Sequence, residues 1–332
     1  MQVEGTVNVL QRFINNPVIK PKNENFWESQ ATFNAGAIFL DNKVHLLYRA
    51  IGADGISVLG YASSTDGKNI NERLDCPVYS PRNLYEIKQK CSQDITIRFM
   101  SGGGYGGCED PRLTKIDDKI YMTYTAFNGC NPPAVALTYI KEKDFLEKRW
   151  NWKIPKIISN PTQVHKNWVI FPEKINGKYA ILHSISPDIL IEFLDDLEFE
   201  NRTRIESFHN FGSRENGWDN MVRGAGPSPI KTEDGWLIIY HAMSGSDPSK
   251  YKIGALLLDY NDPFKISHRL SYPILEPSAR YENEGCKPGI IYSCGAVVIN
   301  DQLFVYYGGA DTVTCVAFTS LSKLLNSLKN SK

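Results

Sequence analysis

One pattern recurs five times along this 332-residue chain. Each copy has a small or polar start, an apolar strand, a short polar turn and an aromatic-rich strand. In the first copy, AGAIFL leads through Asp41-Asn42-Lys43 into VHLLYR. The others occupy residues 111–124, 169–183, 226–241 and 294–308. Asn-Gly, Asp-Gly and Asp-Asn pairs at the turns supply the positive φ that tight hairpins need. The turns begin at intervals of about 76, 59, 57 and 67 residues, room for roughly four strands each. That grammar predicts an all-β chain folded as a five-bladed β-propeller, which hides its sheet edges by radial repetition. A large β-sandwich is the alternative on pattern alone. Helical spacing is clear only in the tail, residues 320–328, expected as a short C-terminal helix capping one blade. No internal domain boundary stands out, so residues 1–332 read as one catalytic propeller domain, with loops between blades at 80–83 and 201–218.

Composition narrows the function. Lys plus Arg and Asp plus Glu are both 37, so net charge is zero and nothing favours coating nucleic acid or an anionic membrane. No eighteen-residue apolar run is present, and Met1-Gln2-Val3-Glu4-Gly5 lacks the basic start and apolar core of a secretory signal. The seven cysteines contain no CxxC pair and several sit in apolar stretches. They read as reduced, buried thiols of a cytoplasmic protein, not as a metal site. Zero net charge and long loops leave room for a homo-oligomer.

An antiparallel hairpin brings the start of its first strand and the end of its second to one edge. At those positions stand Asn34, Glu109-Asp110, Lys166-Asn167 and Arg223, then Arg49, His183, His241 and Asp311. The turn ends carry ordinary solvent-facing residues, so the ionisable groups collect at one mouth. The densest element is GGGYGGCEDPR, residues 102–112. It satisfies GxGxxG, but a dinucleotide fingerprint must open a helix, and here Pro111 and a β-like stretch follow. The glycines read instead as a pliant loop that aims Glu109 and Asp110 into a cavity. A central carboxyl, several cations and aromatic residues suit a glycan plus an anion. Tyr105, Trp168 and Trp218 are the candidate stacking residues, with packing between blades as the plainer role of each.

The segments FNAGAIF and LLYRA, GGCEDPRLTKIDDKIYMTYTAF, KNWVIFPEKINGKYAILHS, GWDNMVRGAGPSPIKTEDGWLIIYHAM, ILEPSARYENEG and CGAVVINDQLFVYYGGADT resemble glycoside hydrolase family 130. The likeness runs from about Asn16 to Leu325. It implies a five-bladed propeller acting on β-mannosides, most often as a phosphorylase. It places the acid at Asp110, which protonates the glycosidic oxygen through the mannosyl 3-hydroxyl. Inorganic phosphate, a co-substrate and not a cofactor, attacks the anomeric carbon from the opposite face, and α-mannose 1-phosphate leaves. Asn34, Arg49, Asp110 and Asp311 are implied to grip the sugar, and the loop reading above adds Glu109 and Tyr105 to the substrate-binding residues. Lys166, Asn167, Arg223, His241 and Tyr251 are implied to bind phosphate.

Two positions depart from the family pattern. Ser184 follows His183 where an Arg is usual, and the first repeat reads Ser57-Val58-Leu59-Gly60 where many members have an Arg ahead of Ile-Gly. Inverting phosphorolysis is the leading expectation. An inverting β-mannosidase is the alternative and needs a second carboxylate as base, from Glu109, Asp219, Glu173 or Glu284. A silent glycan-binding propeller is the third, which the centrally placed Asp110 argues against. None of the three requires a metal.

Overall fold

The computed structural model describes residues 9–200, 204–207 and 217–331. Most of the loop expected at 201–218, and the N-terminal Met1–Gly5 stretch, lie outside the described residues. A short strand β1 (Gln11–Arg12) precedes everything else. The first antiparallel unit is β2 (Ala31–Leu40), β3 (Lys43–Ile51), β4 (Ile56–Ser64) and β5 (Glu72–Arg73). Helix α1 (Gln93–Phe99) leads to the second: β6 (Gly106–Ile116), β7 (Lys119–Phe127), β8 (Ala134–Lys141), helix α2 (Glu142–Leu146) and β9 (Lys156–Ile157). The third is β10 (Val169–Ile170), β11 (Tyr179–Ile185) and β12 (Ile189–Leu194). The fourth is β13 (Met221–Ala225), β14 (Ile230–Thr232), β15 (Gly235–Ser244), β16 (Asp247–Leu258) and β17 (Ile266–Arg269). After α3 (Arg280–Asn283) come β18 (Ile291–Ile299), β19 (Gln302–Gly309), β20 (Val313–Ser320) and α4 (Leu321–Lys329). β1 pairs with β20 and completes this last unit.

The chain is all-β with few helices. The units form four hydrogen-bonded sheets, because a parallel bridge from Ile56-Ser57 to Gly106-Gly107 joins the first two units into one. Hairpin turns fall where the sequence places them: Asp41-Asn42, Asn176-Gly177 and Asn300-Asp301 all have positive φ at both central positions. Helices α1, α2 and α3 carry too few turns to show a period in the sequence.

Each central strand feeds two cores. In β15, Leu237 and Ile239 join the apolar cluster shared with the fifth unit, while Trp236, Ile238 and Tyr240 join the one shared with the third. Side-chain alternation thus explains the near-continuous apolar runs: both faces are buried. Further clusters join the first unit to the second and the second to the third, and another joins the fifth back to the first. The α4 residues Leu324, Leu325 and Leu328 are buried against the fourth and fifth units, at roughly 1.5–3 kcal/mol each. Ser320 caps this helix, accepting from the Lys323 N–H.

A second repeated device ties the segment entering a unit to that unit's second strand. Tyr48 donates to Glu28 at 2.7 Å, Tyr240 to Asp219 at 2.6 Å, Tyr307 to Glu282 at 2.8 Å, and Tyr124 to Glu86. Arginines from outer strands complete three of these clasps: Arg73, Arg269 and Arg12. In the third unit His183 takes the tyrosine's place and meets Ser207 at 2.8 Å.

The cysteine expectation needs correction. Cys91 and Cys130 form a disulfide, with Cα atoms 5.7 Å apart. Cys76 and Cys286 are exposed thiols, and only Cys108, Cys294 and Cys315 are buried. The bridged pair lies 39 residues apart, and only the return of the chain to the end of β7 brings them together.

Candidate active site

The first strands of four units carry a β-bulge near their start, and these bulges build the site. Register slips between Phe33 and Gly36, Glu109 and Arg112, Val222 and Gly224, and Ser293 and Gly295. A bulge re-aims a side chain that a regular strand would hold in the sheet face. Asn34 (φ 50°) and Asp110 (φ 53°) sit in these bulges in the left-handed region, and Asn167 (φ 67°) and Asp311 (φ 50°) share that conformation. Such strain persists where surrounding structure fixes it, as at ligand sites.

These residues meet in a cavity of about 850 Å³. At its floor Asp110 Oδ1 accepts from Asn34 Nδ2 at 2.9 Å and from Arg49 Nη1 at 3.3 Å. Arg49 also donates to Ser57, to the Ser101 carbonyl and to Glu109 Oε1, the last at 3.0 Å. Lys166 Nζ donates to Ser101 Oγ at 2.9 Å and to Glu109 Oε2 at 3.2 Å. Beneath them the buried Arg112 donates to the Asp110 carbonyl and to Asn167 Oδ1, which ties the Asp110 bulge to the segment before β10 with one guanidinium. Arg223, Tyr251 and Tyr292 line the cavity further round.

The electrostatics follow from this packing. Burial pushes the Asp110 carboxyl up, but Arg49, Lys166, Arg112 and the Asn34 hydrogen bond outweigh it and hold it below the usual carboxylate range. Asp311 moves the other way: burial and the neighbouring Asp110 charge raise it, although Lys287, 3.7 Å away, opposes them. His241 is pushed down to about 3, first by burial and then by Arg112, so its ring is neutral.

The cavity brings together Asp110, Asn34, Arg49, Asp311, Lys166, Asn167, Arg223 and Tyr251, which the sequence assigned to sugar and phosphate. Three expected residues are not on its surface. Glu109 is fully buried behind the wall, where it pairs with Arg49 and Lys166. His241 is fully buried beneath Tyr292, its ring stacked 3.9 Å away. Tyr105 is exposed outside, with Lys88 over its ring. The other stacking candidates are packing residues: Trp168 lies between His165 and His183, and Trp218 stacks on Tyr240. Of the candidate bases, Asp219 is held by Tyr240 and Arg269, Glu173 by Lys231, and Glu284 by Arg280. Among the described residues Asp110 and Asp311 are the only carboxylates lining the cavity.

Sequence reasoning missed Arg112, Ser101, Lys287 and Tyr292. Arg112 ends the EDPR element, and Tyr292 stands just before the fifth first-strand start, so both carried a positional signal. Ser184 lines a separate cavity of about 40 Å³ behind Lys166 and Asn167, beside His183 and Ser207.

A buried acid between cations at the floor of a sugar-sized cleft marks a glycosidase-related enzyme. The sequence model of the glycoside hydrolase 130 family, described as β-1,4-mannooligosaccharide phosphorylase, matches residues 4–330. A 1,2-β-oligomannan phosphorylase of Thermoanaerobacter sp. (strain X514) is 39% identical over 324 residues, covering 95% of this chain and 98% of that protein. A β-1,2-mannobiose phosphorylase of the same organism is 37% identical, with the same coverage of both chains. The β-1,2-mannobiose phosphorylase of Listeria innocua, solved with β-1,2-mannobiose, superposes with a TM-score of 0.74 at 28% identity, over 96% of this chain and 99% of that one. The chain belongs to glycoside hydrolase family 130.

Proposed function

We propose that this protein is an inverting phosphorylase of β-1,2-linked manno-oligosaccharides that releases α-mannose 1-phosphate. One observation carries the choice over hydrolysis. Each carboxylate considered as a base is tied up away from the cavity, while Lys166 and Arg223 line it. Water needs a base; phosphate is already a nucleophile and needs cations. The β-1,2 linkage rests on the two relatives at 39% and 37% identity. The site belongs, in this reading, to a five-bladed propeller. Support comes from five antiparallel units whose apolar clusters link each to the next and the last to the first.

Asn34, Arg49 and Asp311 hold the mannosyl unit, and Lys166, Asn167, Arg223 and Tyr251 receive phosphate. Asp110 delivers its proton through the sugar 3-hydroxyl to the departing oxygen. Phosphate oxygen bonds to the anomeric carbon as the glycosidic bond breaks, and the proton that phosphate carried restores Asp110. In the unliganded site the cations keep Asp110 ionised. A phosphate dianion beside Lys166 offsets that cation and lifts the carboxyl towards its protonated, working form. Ordered binding, phosphate before proton transfer, follows from this charge balance.

Incubation with β-1,2-mannobiose, with and without phosphate, tests the reading. Mannose 1-phosphate should form only when phosphate is present. Free mannose released at the same rate without phosphate would overturn it in favour of hydrolysis.

A further inference from the structure

One wall of the cavity is an element unlike the rest. Arg98 and Phe99 at the end of α1, with Met100 and Ser101 just after it, line the cavity together with Pro288 and Ile290. The residues assigned to the mannosyl unit and to phosphate take up other parts of the lining, which leaves this wall to the departing sugar. Helix α1 is poorly anchored. Of its seven residues only Thr96 is buried, and Ile95 and Ile97 face solvent. Its segment is fastened to a short strip after β7. Gln89 N–H donates to the Asn128 carbonyl at 2.8 Å, Thr96 Oγ1 to the Gly129 carbonyl at 2.7 Å, and Cys91 is bonded to Cys130. A seven-residue helix without a packed face does not hold itself in place.

We propose that the Cys91–Cys130 disulfide is a redox tether that sets how tightly the α1 wall grips the departing sugar, an inference that rests on the phosphorylase reading. Oxidised, the bridge holds α1 against the cavity. Cys91 is exposed, so a dithiol reductant reaches it. The reductant's thiolate attacks the Cys91 sulfur, Cys130 leaves as a thiolate and takes a proton, and the reductant's second thiolate resolves the mixed disulfide. Two electrons pass; the protein gains two thiols and the reductant becomes a disulfide. The freed segment keeps its hydrogen bonds to Asn128 and Gly129, and its far end stays fixed where Ser101 meets Arg49, Lys166 and Glu109. The floor keeps its contacts, because they run through Ser101 and not through either cysteine; the part set free is Arg98, Phe99 and Met100. In the cytoplasm expected from the sequence, the open form would be the prevailing one.

The test runs the reaction in the synthetic direction, with α-mannose 1-phosphate as donor and mannose as acceptor, before and after dithiothreitol. Alkylation of the denatured protein and peptide mapping read the redox state of Cys91 and Cys130. Reduction should raise the acceptor KM about five- to tenfold, leave kcat and the donor KM within about twofold, and increase amide exchange at residues 91–100. The C91S/C130S double variant should show the reduced values and ignore the reductant. An acceptor KM unchanged by reduction, or a Cys91–Cys130 bridge absent after mild oxidation, overturns the tether. Where the double variant does not fold, the wild-type pair of states decides alone. No turnover in either state would instead overturn the phosphorylase reading, and the proposal with it; that outcome is distinct because it precedes any reduction.

Discussion

At the cavity floor Asp110, Arg49 and Glu109 are nearly inaccessible, and each has several charged or hydrogen-bonding partners. At the rim, α1 buries one residue and depends on a disulfide and a few hydrogen bonds. The floor is placed by strand bulges within packed sheets; the wall is a loop laid over them. Chemistry that needs reacting groups fixed to a fraction of an ångström belongs on the first kind of element. Recognition of a departing sugar, which must enter and leave, tolerates the second.

The sharpest way to break this contrast is Asp110→Asn. The amide keeps the size and can still meet Asn34 and Arg49, but it supplies no acidic proton. Phosphorolysis should fall by about 10²–10⁴ with mannobiose affinity within a fewfold. Turnover near the wild-type rate would move the acid elsewhere, and Asp311 would be next to examine.

Glu109→Gln probes the floor's rigidity without touching substrate. It leaves Arg49 and Lys166 short of their shared counter-charge in a buried site. Unfolding free energy should drop by about 3 kcal/mol in a denaturant titration. A change below about 0.5 kcal/mol would mean that Asp110 and Ser101 alone suffice for the two cations.

Phosphate itself is the third lever. The lowered carboxyl of Asp110 in the free protein means that the acid form is lost as pH rises through that depressed value. Saturating phosphate should shift the descending limb of the pH–rate profile upward by about 1–2 units. A limb that stays put when phosphate is varied from sub-saturating to saturating would show that Lys166 does not couple the two sites.

The same contrast separates what the sequence revealed from what it hid. Hairpins were readable because Asp41-Asn42, Asn176-Gly177 and Asn300-Asp301 advertise positive φ. The mouth was readable because bulge positions carry polar residues in otherwise apolar strands. Glu109 was misread because neighbours in a strand face opposite ways: the bulge turns Asp110 into the cavity and leaves Glu109 behind it. His241 was assigned from a strand-end position and Tyr105 from the glycine-rich loop, and neither says which face a ring takes. The Tyr48–Glu28 and Tyr240–Asp219 clasps and the Cys91–Cys130 bridge join residues 20 to 39 apart at no fixed spacing, so only the folded chain shows them.

Phe99→Ala is the mildest test and the one aimed at the wall. Phe99 is half-buried and lines the cavity, with the Arg98 guanidinium 5.6 Å from its ring, so the contribution expected of it is apolar contact with a bound sugar. Removing it deletes about half of the benefit of a fully covered ring, roughly 1 kcal/mol. The acceptor KM in synthesis should rise about fivefold, with kcat and the phosphate KM unchanged. A fall in kcat of the same size would instead tie α1 to the floor, since only a group that helps hold Asp110 or the mannosyl unit can slow the chemical step at saturating acceptor. The two parts of the cavity would then be one mechanical unit, and the rigid floor would owe some of its precision to the loop above it.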